Sequence, residues 1–338
     1  MVHLKKILPI IVLILSITSF SDANEQVGSS PTANVTTTEK KNPISLSITS
    51  PRDGETFESE ETVHVTGTVS HAEGLETGVR VNNYVFAPVY NGQFEVRGVP
   101  LPTSPPSYDV IITATDVKGN SRTETRKIGI TRHNFDSGFG AQTSSGTAPL
   151  ETELSAVGYR APSFSCTGPG PVQWKKPASQ KDLKEGEDQS EEELLEDPVI
   201  NLTVEGVYHC TMEAKDKQGK TVSRTIPIVV YDKDKIDRML RDKWETMRIK
   251  LSQGAVDDAV VYYRNSAKES YRQFFNSIRD QLPELAASMK ELKLRKIEDF
   301  SAEYFVFSKT TWPDGSTSDG FTLTFSVDDD GVWKIDPF

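Results

Sequence analysis

Chemistry in a chain of this length begins with its nucleophiles, bases and metal ligands, and here these are few and scattered. The 338 residues include five histidines and two cysteines. His64, His71, His133 and His209 lie in segments that read as strands or loops, with no Ser/His/Asp order and no phosphate-cradling glycine loop beside them. Beyond Cys210 neither residue type occurs again, so residues 233–338 hold no nucleophile–base pair and no His-ligated metal. A lone Asp or Glu base is the only acid/base option left there, and nothing marks one. The expectation is a protein with no catalytic residue, metal or cofactor. Trp244, Tyr262, Tyr263, Phe274, Phe275 and Trp333 are candidates to line a ligand pocket. Aromatics at helical spacing more often pack a core. Between Glu185 and Asp197 stand eight acidic residues and no basic one. They lack the spaced D-x-D-x-D-G order of a calcium loop, so they read as a solvated loop able to repel acidic surfaces or dock a basic partner.

The elements that would position these residues announce themselves by repetition. Ala114-Thr115-Asp116-Val117-Lys118-Gly119-Asn120 recurs as Ala214-Lys215-Asp216-Lys217-Gln218-Gly219-Lys220. Each phrase joins two alternating apolar runs: Tyr108-Val110-Ile112 with Ile128-Ile130, and Val207-Tyr208-Cys210-Met212 with Ile226-Ile228-Val230. Period-two alternation broken by a short Asp/Gly turn is a β-hairpin signal. The chain therefore carries two β-sandwich modules that end alike.

The first residues point to export. Lys5 and Lys6 precede an apolar stretch from Ile7 to Phe20 and the small-residue site Ser21-Asp22-Ala23. That order predicts a Sec-type signal peptide over 1–23, too short to be a spanning anchor. A formal charge of −11 argues against nucleic acid and anionic membrane surfaces as partners. In an oxidising compartment, periplasmic or extracellular, Cys166 and Cys210 are expected to form one disulfide. By loop entropy it contributes ~3–4 kcal/mol. Residues 24–42 are polar and read as a flexible linker.

Short strands at regular spacing place an all-β sandwich over 43–132. The phrases "SITSPRDGETFESEETVHVTGTVS", "VRVNN", "NGQFEV" and "ITATDVKGNSRTET" resemble a bacterial Ig-like module of the glucodextranase domain-B type. A second sandwich is expected over 138–232, with the acidic insertion at 175–198. Its "SGTAPLETELSA" and "GVYHCTMEAKDKQGKTVSRTIPIVVYD" resemble a PKD module. Its "FSCTGPGPVQWKK" followed by "GVYHC" resembles an immunoglobulin domain, with Cys166, Trp174, Tyr208 and Cys210 in the matching order and Tyr208 in a tyrosine-corner position. The PKD "DFGDG"-like turn is absent, so no PKD ligand residues carry over.

From Lys233 the pattern turns helical. Ile236, Leu240, Trp244, Met247 and Leu251 share one helix face that stops at Gly254. A short helix carrying Val256, Ala259, Val260 and Tyr263 follows, then one capped by Ser266 with Glu269 as a capping box, then a turn or short helix from Pro283. Strands are predicted over 292–298, 302–309, 320–327 and 332–335. "GAVDDAVVYYRNSAKESYRQFFNSI" and "DDDGVWKIDPF" resemble the NTF2-like superfamily, which implies an α+β cone with a pocket and, often, dimerisation through the sheet.

The fold class expected is thus multi-domain: two all-β Ig-like sandwiches in series, then an α+β NTF2-like domain over 233–338. The function expected is non-catalytic binding, adhesion or scaffolding at the cell envelope. The sandwiches form a stalk, and the C-terminal head meets an envelope protein or a glycan. Two alternatives stand beside it: a glycan-related enzyme or enzyme accessory using the C-terminal pocket, and a periplasmic assembly or secretion factor.

Overall fold

The computed structural model describes residues 42–57, 63–83, 85–99, 107–130, 138–175, 197–289, 291–298, 300–311 and 317–337. The expected signal peptide, the linker short of Asn42 and the acidic insertion apart from its ends lie outside these residues.

The first unit contains β1 (Ile44–Ser50), β2 (Thr56–Phe57), β3 (Val63–His71), β4 (Thr77–Val81), β5 (Val85–Ala87), β6 (Val89–Tyr90), β7 (Gln93–Val99), β8 (Ser107–Asp116) and β9 (Ser121–Ile130). They form two sheets, ordered β1-β3-β7-β6 and β2-β9-β8-β4-β5. Alternation does the sorting. Along β8, Tyr108, Val110, Ile112, Ala114 and Asp116 point inward while their neighbours face out. Their apolar members join Val63, Val65, Val79 and Val81 in one core between the sheets.

The second unit contains β10 (Gly138–Ala141), β11 (Ser145–Thr147), β12 (Leu150–Val157), β13 (Arg160–Thr167), β14 (Val172–Lys175), β15 (Val199–Leu202), β16 (Gly206–Lys215) and β17 (Thr221–Tyr231). Its sheets run β10-β12-β15-β14 and β11-β17-β16-β13. Leu154, Ile200, Leu202, Tyr208, Ile228 and Val230 fill the space between them. The expected disulfide is present, but it is not the inter-sheet bridge of an immunoglobulin domain. Cys166 and Cys210 sit directly opposite each other on adjacent strands of one sheet. Trp174, which such a bridge would pack against, is 42% exposed on β14. The tyrosine corner does hold: the Tyr208 hydroxyl donates to the Val204 carbonyl at 3.1 Å.

The third unit places four α-helices before a sheet: α1 (Lys233–Ser252), α2 (Val256–Val260), α3 (Lys268–Ser277) and α4 (Leu282–Ser288), with a 3₁₀ turn at Arg279–Gln281. Asp232 caps α1 by accepting from the Lys235 N–H at 2.8 Å. Gly254 ends it with φ +69, a left-handed stop. The third helix starts later than the sequence suggests. Ala267, not Ser266, is its N-cap, and no side chain caps it, because the backbone N–H groups of Ala267 and Lys268 bond instead to the Arg264 carbonyl. The sheet is an antiparallel meander of β18 (Glu291–Glu298), β19 (Ser301–Thr311), β20 (Thr317–Val327) and β21 (Trp333–Ile335). Helix and sheet meet in one apolar cluster that includes Leu240, Met247, Leu282, Tyr304 and Phe325. Each such side chain contributes ~1.5–3 kcal/mol by leaving water. No helix among the described residues is long and apolar enough to cross a membrane.

Two sandwiches in series would touch only along the chain. Instead the first sandwich also packs directly against the third unit. The Phe86 ring meets Phe300 edge-on at 5.2 Å. Gly78 lies so close to Asp330 and Gly331 that a β-carbon there would overlap their backbone. Local periodicity along either segment carries no information about this contact.

Candidate functional site

The six aromatics singled out from sequence come together, and they do so as packing. Trp244, Tyr263, Phe274, Phe275 and Trp333 are buried members of the helix–sheet core, with Tyr262 partly buried against it. Tyr263 stacks on Tyr271 at 4.1 Å and meets Phe275 edge-on at 6.0 Å. Trp244 donates its indole N–H to the Met289 carbonyl at 3.2 Å. Burial pushes the Tyr263 hydroxyl well above the usual phenol range. Tyr263 leaves α2 and bridges to Ile335, so the last strand is tied to the helices by backbone hydrogen bonds at both Tyr262 and Arg264.

The charged groups gather elsewhere, at the joints between units. At the first joint, α1 presents Lys243 on its buried face, seven residues after Ile236 and four before Met247. Its ammonium donates to the Trp333 carbonyl at 2.6 Å and to the Glu76 carboxylate of the first sandwich. Glu76 also accepts from the Trp333 N–H at 3.3 Å. Burial pushes the Lys243 ammonium below the usual lysine range, and the Glu76 charge works against that shift. Arg80 closes the joint by donating to the Asp329 carbonyl.

Beneath this joint, Lys334 is wholly buried. It donates to Asn265 Oδ1 at 3.0 Å, to Asp328 Oδ2 at 3.2 Å and to Asp330. Asp328 further accepts from the Asn265 N–H at 2.8 Å and from Arg264 Nε at 3.2 Å. Burial works against its charge. The backbone hydrogen bonds and the Lys334 charge outweigh burial and hold the Asp328 carboxyl below its ordinary value.

The second joint connects the sandwiches. Glu95 on β7 accepts from His209 Nε2 on β16 at 2.8 Å, and His64 Nε2 of β3 lies 2.7 Å from its other oxygen. The Tyr231 hydroxyl donates to the Val89 carbonyl at 3.2 Å across the same boundary. Inside the first sandwich, His71 and Asp116 form a third, buried pair at 3.0 Å. Because His71 Nδ1 accepts from the Glu73 N–H, its proton sits on Nε2, facing Asp116.

Chemically, the groups at the first joint satisfy one another. Each lysine ammonium at the first joint is matched by carboxylate or carbonyl oxygens, and among the described residues no three His, Cys, Asp or Glu are arranged to hold a metal ion. Sequence reading passed over Glu76, Glu95, Lys243 and Lys334. The one available signal was Lys243, a charge standing in the apolar stripe of an otherwise regular helix.

No known family model matches the chain, and no curated protein matches it. Among solved structures it is similar to the fibronectin(III)-like modules of Clostridium thermocellum CbhA. That match has 14% identity and a TM-score of 0.20, covering 56% of this chain and 95% of that one. It is also similar to the titin domains Z1Z2 in complex with telethonin, at 12% identity and a TM-score of 0.20, covering 56% and 97%. A third is Bacteroides ovatus SGBP-B in complex with a mixed-linkage heptasaccharide, at 12% identity and a TM-score of 0.18, covering 55% and 47%. The two β-sandwiches described above rest on this chain's own strand pairing.

Proposed function

We propose that the chain is an exported, non-catalytic binding or scaffold protein of the cell envelope. In this reading the two Ig-like sandwiches form a braced frame that presents the C-terminal unit as a recognition head. The observation that carries the proposal is the use of charge. Ionisable groups converge at both joints between units, Glu76 with Lys243 and Glu95 with His209, where they are paired with one another. A frame held at two polar joints keeps the head in one position, which favours binding by lowering the ordering cost.

The NTF2-like assignment of the head is supported by its order, helices first and then an antiparallel meander laid over them. The face of that meander turned away from the helices carries Phe305 and Phe307, which meet edge-on at 4.9 Å. Phe307 is 39% exposed, and Arg295 lies 5.7 Å from the Phe305 ring centre. An aromatic pair with a cation beside it suits either a protein surface or the face of a sugar ring. Cross-linking in cells, with the full chain against Phe307→Asp, tests the reading. A specific protein partner that disappears with the substitution is expected. A partner retained undiminished would remove the head from recognition. Binding to a glycan panel without a protein partner would assign the face to sugars.

A further inference from the structure

We propose that Glu95, His64 and His209 form a proton-dependent latch between the two sandwiches, one that tightens when the surroundings turn mildly acidic. The three residues come from three strands and two units. His64 and Glu95 belong to the first sandwich and His209 to the second. One carboxylate faces two imidazoles, one on each oxygen, at 2.7 and 2.8 Å. The two contacts differ in kind. His209 makes a directed hydrogen bond. His64 Nε2 is buried and close but off the line a hydrogen bond needs, so that nitrogen is left without a hydrogen-bond partner. A neutral His64 gains little from this placement, whereas an imidazolium gains attraction whatever its angle.

Imidazole is the side chain whose charge changes between pH 5 and 8. Each proton taken up converts a neutral contact with Glu95 into an ion pair, and charge-assisted hydrogen bonds are about twice as strong as neutral ones. Partial burial of the three side chains, 27%, 21% and 44% exposed for His64, Glu95 and His209, limits screening. Two other charges face the cluster. Arg97 on β7 has Nε 3.9 Å from the same Glu95 oxygen as His64, and Arg224 on β17 stands near enough to Arg97 to oppose its charge. Positive charge there opposes a second imidazolium, while the Glu95 carboxylate stands 2.7 and 2.8 Å from the two imidazoles.

The carboxylate stays available throughout this range. Burial works against its charge. The close contacts and charges of His64 and His209 prevail and bring Glu95 from 4.5 down to about 2. A lowered carboxyl contributes stability above its unfolded value and loses it as pH falls through the folded one. The Glu95 charge, and with it the latch, is therefore lost only in strong acid, between 4.5 and about 2.

The test is a double-mutant cycle in the full chain, with Glu95→Gln, His209→Gln and the pair, by chemical denaturation at pH 8 and pH 5.5. The cycle joins one residue from each sandwich, so it reads the joint itself. The coupling is expected to rise about threefold or more, as an equilibrium constant, at the lower pH. Equal coupling at both values, or weaker coupling at pH 5.5, overturns the proposal. A pH response abolished by His64→Gln but untouched by His209→Gln also overturns it, because the effect would then be internal to the first sandwich. If Glu95→Gln does not fold, the difference between wild type and His209→Gln at the two pH values carries the same reading, since His209 is 44% exposed.

Discussion

The turns at Asp116 and Asp216 are the same piece of backbone put to different uses. In each, the Asp N–H bonds to the carbonyl four residues on at 3.0 Å, and the glycine N–H bonds back to the Asp carbonyl at 3.0 Å. Gly119 and Gly219 take φ +87 and +79, which a side chain would strain. The Asp Oδ1 accepts from the N–H of Asn120 at 2.9 Å in one and of Lys220 at 2.8 Å in the other. Both aspartates continue the inward alternation of their strands. Asp116 is fully buried and also accepts from His71 and the Asn120 amide. Asp216 is only half-buried and bonds within its own turn. A third copy, Asp328-Asp329-Asp330-Gly331-Val332, repeats the backbone bonds at 2.9 Å with Gly331 at φ +81. Its first carboxylate, Asp328, serves Lys334, Arg264 and Asn265 instead, the Val332 N–H goes to Asp330 Oδ1 at 3.2 Å, and its backbone receives the first sandwich. Turn chemistry is therefore local, while the use of the carboxylate depends on what packs over it.

The sharpest way to break this comparison is Asp116→Ala. It leaves the His71 Nε2–H and the Asn120 amide without their buried acceptor, and a loss of about 3–5 kcal/mol is expected. Thermal unfolding checks it, and a loss below about 1 kcal/mol would make the two turns equivalent after all. Glu76→Ala comes next, because it acts on the joint that the third turn supports. It strands Lys243, a buried ammonium, and should cost about 2–4 kcal/mol. Adding Lys243→Met should recover part of that loss, since two well-packed neutral groups replace an orphaned charge. Denaturation of the single and double variants decides whether the joint is a matched pair or two independent contacts. The smallest effect belongs to Asp216→Ala. It removes only turn bonds open to water and should cost about 0.5–1 kcal/mol, readable as a small drop in denaturation midpoint.

Much of this architecture was legible in the residues. The strands at 44–50, 63–71, 107–116, 206–215 and 221–231 follow from alternation, and α1 follows from the spacing of Ile236, Leu240, Trp244, Met247 and Leu251. Two details went otherwise for identifiable reasons. Ser266 looked like a cap, but the chain spends the turn at Arg264–Lys268 on bonds to the Arg264 carbonyl and Asp328, so the helix begins one residue later. Cys166 and Trp174 looked like an immunoglobulin core, but Cys166 stands beside Cys210 in the same sheet and Trp174 faces solvent. Sequence order cannot distinguish a bridge within a sheet from one between sheets, because both strands alternate alike.

What the amino-acid sequence determined by itself was local: period-two strands, period-3.6 helices, and Asp/Gly turns whose glycines tolerate positive φ. It also determined the pairing of the two cysteines, since there are no others. Only the tertiary structure decided where charge would be used. Glu76 and Lys243 are 167 positions apart, and Glu95 and His209 are 114 apart. Of the four, only Lys243, set in the apolar stripe of its helix, stands out in its own segment. Their roles arise because a buried ion requires a partner, and which partner is within reach depends on how the three units pack together.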